Sequence, residues 1–349
     1  MGHEQVVFFN DETCGLKAIV AIHDTTLGPA LGGCRMWPYS SEETALEDVL
    51  RLSKGMTYKA SISGLNLGGG KSVIIGDPKK DKSEALFRSF GRFIESLNER
   101  YITAQDVNIG VPDIKQIALE TANVVGTDKT NGGSGNPAPY TALGVLRGIE
   151  ASAHWAFGQR SLEGKSVAIQ GVGEVGTYLA KYLMEMGAKI FYTDINKDNA
   201  LKLKENIEDA QYVHPDEIYS LDCDIFSPCA LGAIINDDTI DQLKCRVVAG
   251  SANNQLKENR HGIILKEKGI LYAPDYLINA GGLMNVSLER EGYSDKKSKQ
   301  MVDTIYHMAM KIFAFSKEHD IPIYQATDLL AEKRIKAVKE VRTNYLGKT

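Results

Sequence analysis

No stretch of this sequence approaches the roughly 20 consecutive apolar residues that a membrane-spanning helix requires, and the opening Met1-Gly-His-Glu lacks the basic-then-apolar pattern of a secretion signal. A cytoplasmic protein without membrane contact is the expectation. The five cysteines (Cys14, Cys34, Cys223, Cys229 and Cys245) are odd in number and lack C-x-x-C spacing, so neither a disulfide framework nor a zinc site is indicated. The histidines are scattered without ligand spacing, and no metal is assigned. A net charge of −5 and the lack of a basic stripe interleaved with aromatics leave no electrostatic footprint for nucleic acid. Internal repeats and low-complexity segments are also missing.

What is present is ordinary globular composition, 43% hydrophobic and 24% charged over 349 residues, enough for about two domains that each bury a core. VVFF and LKAIVAI look like strands, after which Ser40 and Glu43 fit a capping box that starts a helix. Ala45, Val49, Leu52 and Met56 recur at helical spacing and mark its buried stripe, with Lys59 next on it. A second helix carries Leu86, Phe90, Phe93 and Leu97; a strand-like YIT follows, and Pro112 opens another helix. Gly126 to Pro139, rich in Gly, Asn and Pro, reads as an interdomain connection. Beyond it SVAIQG, KIFYTD, DIFSPC, RVVAGS and GILYAP alternate with helical segments, the rhythm of a parallel sheet with crossover helices. The tail from Lys299 to Tyr345 is helical by period. The expected fold is α/β with two domains and a cleft between them: a substrate domain over residues 1–131, a Rossmann dinucleotide domain over 132–324, and C-terminal helices, 325–349, packing back on the first.

GLNLGGGKSVIIGDP, Gly64 to Pro78, superficially resembles a phosphate-binding P-loop. The pattern fails on spacing, because the position of its first glycine is Leu65. It fails on structure too: a P-loop lysine opens a helix, whereas Lys71 runs into the β-branched SVII and a Gly-Asp-Pro turn.

The better nucleotide signal is GVGEVG, where Gly171, Gly173 and Gly176 make G-x-G-x-x-G, with Glu174 and Val175 inside the turn. A strand precedes it, a helix follows, and a second strand ends at Asp194, near the spacing of about 20 residues at which an acidic residue meets the ribose. Glycines admit the pyrophosphate, the helix N-terminus supplies positive potential, and Asp194 accepts from the adenosine ribose while repelling a 2′-phosphate. NAD is the expected cofactor.

Lys59 and Lys71 occupy places where lysine is seldom buried unless paired. Desolvation turns a lysine toward acid–base work, and a lysine kept charged can hold a carboxylate. Asp106, after the YITAQ strand, could be a proton partner. Each also has a plainer explanation: Lys59 snorkelling to water, Lys71 pairing structurally, Asp106 capping a turn.

IHDTTLGPALGGCRMW, GMTYK, GLNLGGGKSVIIGDP, SGNPAPYTALG, DIFSPCALGA, AGSANNQL and YAPDYLINAGG are together similar, in the same order, to the blocks of the amino-acid dehydrogenase family of glutamate, leucine, phenylalanine and valine dehydrogenases, and the chain resembles the leucine-acting branch most closely. The resemblance runs nearly end to end. It implies that Lys59 binds the substrate α-carboxylate, that Lys71 is the catalytic lysine activating water, and that Asp106 shuttles the proton on the amino nitrogen. It further implies that Asn279 hydrogen-bonds the amino group and that Thr141 and Asn253 lie by the nicotinamide, with Cys229 and Ala230 also at the cofactor. On this reading the glycines before Lys71 clear space for a substrate amino acid.

Glutamate dehydrogenases carry a lysine where this chain has Leu31 and a serine where it has Val286; apolar replacements leave a substrate side-chain carboxylate unpaired. Leu31, Gly32, Ala104, Leu283 and Val286 are the expected substrate pocket, which suits branched aliphatic side chains. The implied reaction is reversible oxidative deamination of leucine and its aliphatic neighbours to the 2-oxo acid, ammonium and NADH by a homo-oligomer. Asp106 to Ile109 reads DVNI where the family usually has DVGT. Similar QDVNI text occurs in tryptophan dehydrogenase-like members, which makes an aromatic substrate the alternative, with an inactive NAD-binding protein a remote third.

Overall fold

In the computed structural model, which describes residues 2–128 and 132–342, the first apolar runs pair as strands β1 (Gln5–Asp11) and β2 (Leu16–Asp24) in an antiparallel hairpin. Next come β3 (Ala30–Trp37), α1 (Glu42–Ile62), β4 (Gly68–Ile75), α2 (Glu84–Glu95), β5 (Tyr101–Gln105) and α3 (Val111–Ala118). The five-stranded sheet has the order β1-β2-β4-β3-β5, with β3 parallel to both β4 and β5. Alternation along each strand feeds two apolar layers. Ala18, Val20 and Ile22 join Phe87, Phe90, Ile94 and Tyr101 under α2 and α3, while Ile19, Ala21 and Val73 meet Ala45 and Val49 of α1.

The α1 cap sits one residue later than the sequence suggests: Ser41 accepts from the Thr44 amide, and Thr44 Oγ1 accepts from the Ser41 amide. A threonine in place of glutamate closes the box at shorter reach. The buried stripe is also turned. Ala45, Val49, Ser53, Thr57 and Ala60 face the sheet, and Leu52, Met56 and Lys59 are half-buried. Thr57 wins its position because it faces Gly69 of β4, and Ser53 because its hydroxyl meets His3 at 2.9 Å. A Cβ on Gly69 would lie 2.1 Å from the Thr57 amide nitrogen, one on Gly70 would lie 2.6 Å from the Tyr101 ring, and one on Gly68 would lie 2.1 Å from the Asp24 carbonyl oxygen. The space those glycines open is therefore filled by the chain itself, a correction to the expectation that it serves a substrate.

After residues 132–137, which carry no regular element, come α4 (Ala138–Phe157), β6 (Ser166–Gln170), α5 (Glu174–Glu185), β7 (Lys189–Thr193), α6 (Lys197–Asn206), β8 (Gln211–Tyr212), β9 (Ile225–Pro228), β10 (Val247–Val248), α7 (Asn259–Glu267), β11 (Leu271–Tyr272), α8 (Asp275–Ile278) and α9 (Gly281–Ser287). The strands form a six-stranded sheet of order β11-β10-β9-β6-β7-β8, parallel at every pairing. That is the doubly wound dinucleotide order, with its switch point between β6 and β9. The helical tail divides into α10 (Asp295–His319) and α11 (Ile323–Arg342), broken before Pro322, whose missing N–H cannot continue a helix.

The chain separates into two units: Met1–Asn136 with Val286–Ser294 and the described chain from Leu330 on, and Pro137–Asn285 with Asp295–Leu329. The expected boundary at 131 and the last expected helical residues, 343–349, lie outside the described residues. Val286–Ser294, which the sequence reading gave to the nucleotide domain, belongs to the first unit. Glu289 explains it, accepting from the Gly126 amide at 2.9 Å and the Ser134 amide at 2.8 Å. In the same unit Arg334 of α11 donates to the carbonyls of Ser61 at 3.0 Å and Leu65 at 2.7 Å, capping the end of α1.

Candidate active site

Paired residues of neighbouring strands point to the same side of a sheet. The register Leu31↔Gly69, Arg35↔Val73 and Gly33↔Ala104 puts Leu31, Gly33, Arg35, Lys71 and Ala104 on the α1 face of the first sheet. Asp106 joins them just beyond β5, and Gly33 makes room for it: a Cβ there would lie 2.8 Å from the Asp106 Cβ. Lys71 Nζ stands 3.0 Å from Asp106 Oδ2. Lysine and carboxylate are thus a pair, the lysine only 5% exposed in mid-strand.

Two forces act on this pair. Burial pulls the Lys71 ammonium below the usual lysine range, opposed by Asp106 and reinforced by the Arg35 charge. Burial also works against the Asp106 carboxylate, but the cations of Lys71 and Arg35 outweigh it and hold the carboxyl below its ordinary range. The arrangement is a lysine whose proton is loosely held beside a carboxylate that stays ionised. That is the chemistry of a proton-transfer site.

Leu31 is 3% exposed and Ala104 8%, both apolar walls on the same face. Gly32 points the other way, where a Cβ would lie 1.7 Å from the Gly70 carbonyl oxygen, so its missing side chain is explained by strand contact. Lys59 sits in the last turn of α1, half-buried. Leu283 and Val286, 9% and 8% exposed, lie on α9. Asp106 to Ile109 is a tight turn closed by the Ile109 amide on the Asp106 carbonyl, with Asn108 at φ 62°. Asparagine is among the few side chains that tolerate this left-handed conformation, so DVNI keeps the turn that a glycine would make.

In the second unit the expected cofactor residues gather at the carboxyl ends of β6, β7, β9 and β10, beside the switch point. Gly171 has φ 95° and lies against Ala230, and a Cβ on Gly176 would meet the Gly171 carbonyl oxygen at 2.1 Å. Gly173 is the N-cap of α5 without a side chain to occupy its amides, followed by Glu174 and Val175 in the first turn. Asp194 follows β7 and accepts from the Val172 amide at 2.9 Å and the Asn196 amide at 2.8 Å, which binds the strand end to the glycine turn. Cys229, partly exposed, extends β9 by donating its amide to the Gln170 carbonyl. Asn279, nearly buried, donates to Asn253 Oδ1 at 2.8 Å and to the Ser251 carbonyl at 3.1 Å. Thr141, in the first turn of α4, donates to the Pro137 carbonyl at 3.1 Å. Open helix amides, close-packed glycines and an acidic strand end suit a dinucleotide. Among the described residues no cluster of His, Cys, Asp and Glu could hold a metal, and no helix is long and apolar enough to cross a membrane.

Sequence reasoning missed Arg35, whose Nε lies 3.0 Å from Asp106 Oδ2 and whose guanidinium also reaches Asp48 Oδ2 at 2.9 Å. Its signal was a charge inside ALGGCRMW, a strand hidden by its glycines.

Residues 3–123 match the family described as the Glu/Leu/Phe/Val dehydrogenase dimerisation domain, and residues 132–194 and 192–343 match Glutamate/Leucine/Phenylalanine/Valine dehydrogenase. The chain is 58% identical over 344 residues to a leucine dehydrogenase of Thermoactinomyces intermedius, covering 99% of this chain and 94% of that one. It is 49% identical to a phenylalanine dehydrogenase of the same organism over 98% of this chain and 93% of the other. The crystal structure of L-tryptophan dehydrogenase from Nostoc punctiforme superposes with a TM-score of 0.86 at 46% identity, covering 97% of each chain.

Proposed function

Because the chain belongs to the glutamate/leucine/phenylalanine/valine dehydrogenase family, we propose that this NAD-dependent amino-acid dehydrogenase acts on leucine and related branched aliphatic L-amino acids. The observation that carries the reading is the buried Lys71 held against Asp106 on the face that also bears Leu31 and Ala104.

Gly171, Gly173, Gly176 and Asp194 would hold the dinucleotide, helped by Glu174, Val175, Cys229, Ala230, Thr141 and Asn253. When bound, NAD would supply the acceptor for the hydride of the substrate α-carbon. Lys59 holds the α-carboxylate, and Asn279 orients the amino group. Neutral Lys71 takes a proton from the water that adds to the imino carbon; Asp106 carries protons to and from the amino nitrogen as ammonia departs. A charged Lys71 would repel the cationic imine, so its loosened proton serves the step. The balance is amino acid, NAD and water giving 2-oxo acid, ammonium, NADH and a proton.

Leu31 and Ala104, on the face that bears Lys71, are the apolar contacts offered to the substrate side chain, and Leu283 and Val286 of α9 are further candidates for it. A glutamate side chain would bury an uncompensated carboxylate there, at on the order of 3–5 kcal/mol. Leucine, isoleucine and valine differ by methylenes, worth about 1–3 kcal/mol each, and overlap as substrates. Identities of 49% to a phenylalanine dehydrogenase and 46% to a tryptophan dehydrogenase support an aromatic substrate as the second reading. We also propose a homo-oligomer, since Phe8 on edge strand β1 is 56% exposed and the first unit matches a dimerisation domain.

The test is NADH formation with leucine, valine, phenylalanine, tryptophan and glutamate. Leucine should give the highest kcat/KM and glutamate almost none. A preference for tryptophan or phenylalanine would replace the aliphatic assignment, and a preference for glutamate would overturn the pocket argument.

A further inference from the structure

Lys71 and Arg35 both approach the same oxygen of Asp106, Oδ2, at 3.0 Å. The Arg35 guanidinium extends from there to α1, where its Nη1 lies 2.9 Å from Asp48 Oδ2. Asp48 is itself gripped from two more sides, by the Tyr39 hydroxyl at 2.7 Å and by Arg51 at 2.9 Å. Arg35 is thus a fork between two carboxylates with each tine fixed. Neither Arg35 nor Asp48 has a part in the chemistry set out above.

We propose that Arg35 is the positioning residue of the proton-transfer pair: it holds Asp106 by Oδ2 and is the charge that keeps Asp106 ionised once Lys71 is neutral. The inference rests on the roles given to Lys71 and Asp106 under the proposed function. The physical reason is that Lys71 must surrender its proton to work, and at that moment a half-buried carboxylate loses one of its cations. A guanidinium does not deprotonate in a protein. Arg35 therefore supplies a constant positive charge where Lys71 supplies an intermittent one, and the same charge discourages Lys71 from keeping its proton. Asp48 balances the excess and fixes the angle of the fork.

Among the described residues, the other ionisable groups around the pair and its partners are Cys34 on β3, Tyr101 on β5, Tyr39 after β3, Arg51 on α1 and, beside Cys34 and not the pair itself, Asp113 on α3. Cys34, Tyr39 and Tyr101 have their proton loss pushed upward by burial, so they stay neutral where Lys71 and Asp106 titrate. Asp113 is engaged by Lys82. The charges that set the pair are then Arg35, Asp48 and Arg51.

The test is the pH dependence of kcat/KM for oxidative deamination in the full-length protein, with thermal melting as a folding control. In Arg35→Gln both Lys71 and Asp106 titrate higher, so the rise of the profile moves to more alkaline pH by about one unit, the low end of what a neighbouring charge does. In Asp48→Asn the guanidinium is no longer balanced, and the rise moves the opposite way, to lower pH. Arg35→Lys keeps the charge but not the fork, so its midpoint stays near that of the unaltered protein while kcat falls. A general packing defect would lower activity without moving the midpoint in opposite directions. An unshifted profile in a folded, active Arg35→Gln protein overturns the proposal, and should that variant not fold, an unshifted Asp48→Asn profile overturns it alone. Failure of the unaltered protein to form NADH from any amino acid would instead strike at the proposed function.

Discussion

Gly69 of β4 and Thr57 of α1 touch backbone to backbone, so closely that a Cβ on the glycine would lie 2.1 Å from the threonine amide nitrogen. The helix is pressed onto the strand that carries Lys71, on the face from which that buried lysine projects.

Gly69→Ala should therefore destabilise the first unit by about 3 kcal/mol or more, at the upper end for overpacking, because the obstacle is backbone and cannot rotate away. Urea unfolding followed by circular dichroism measures it. A variant within 0.5 kcal/mol of the parent, the ordinary scatter of a surface change, would mean that α1 can lift at little cost.

Lys71→Ala removes the base and should lower kcat by about 10³-fold, within the usual range for a positioned acid–base group. Binding of NADH, followed by its fluorescence, should be unchanged, since the glycine turn and Asp194 belong to the other unit. Retained turnover would take Lys71 out of the mechanism.

Stability should fall in acid, and Asp106 should carry part of that fall. Its carboxyl is held below the usual range in the folded protein by Lys71 and Arg35, so the unfolded chain binds the proton more readily. The contribution is fully present above the unfolded carboxyl pKa of about 4 and is lost as pH drops through the lower folded value. Denaturant midpoints at neutral pH and at about pH 3 should accordingly differ less in Asp106→Asn than in the parent. Equal differences in the two proteins would contradict the ion-pair account.

Asp194→Ser gives up a carboxylate that can accept from a ribose hydroxyl. A charge-assisted hydrogen bond is worth about 1.5–3 kcal/mol, which raises the KM for NAD by about tenfold or more and narrows the margin over NADP. Steady-state kinetics with both dinucleotides decides it, and an unaltered KM for NAD would show that Asp194 serves only the Val172 and Asn196 amides.

The nucleotide fold was legible because periodic apolar strands, glycine turns and an acidic strand end are all local signals. Residue types and order suggest Asp106 as a partner of Lys71, but the oxygen that Lys71 and Arg35 share arises only when β4 and β5 flank β3. Arg35 and Asp48 escaped notice for the same reason. The α1 stripe differs from the periodic reading because periodicity ranks residues by hydrophobicity, whereas Gly69 of β4 selects Thr57 by close approach and His3 engages Ser53. The return of Val286–Ser294 to the first unit depends on Glu289 meeting amides far away in sequence, which no window of residues displays.

Arg334 covers the Ser61 and Leu65 carbonyls at the end of a helix made early in translation. That side chain leaves the ribosome 269 residues after Leu65, and until then the Leu65 oxygen lacks it and the Ser61 oxygen has only nearby backbone amides such as that of Gly64, so the first unit cannot complete its fold as a nascent fragment. The nucleotide unit, encoded in between, has no such wait for most of its strands. A gene fragment ending near Asn136 would accordingly yield a protein open at that helix end and prone to associate with other chains.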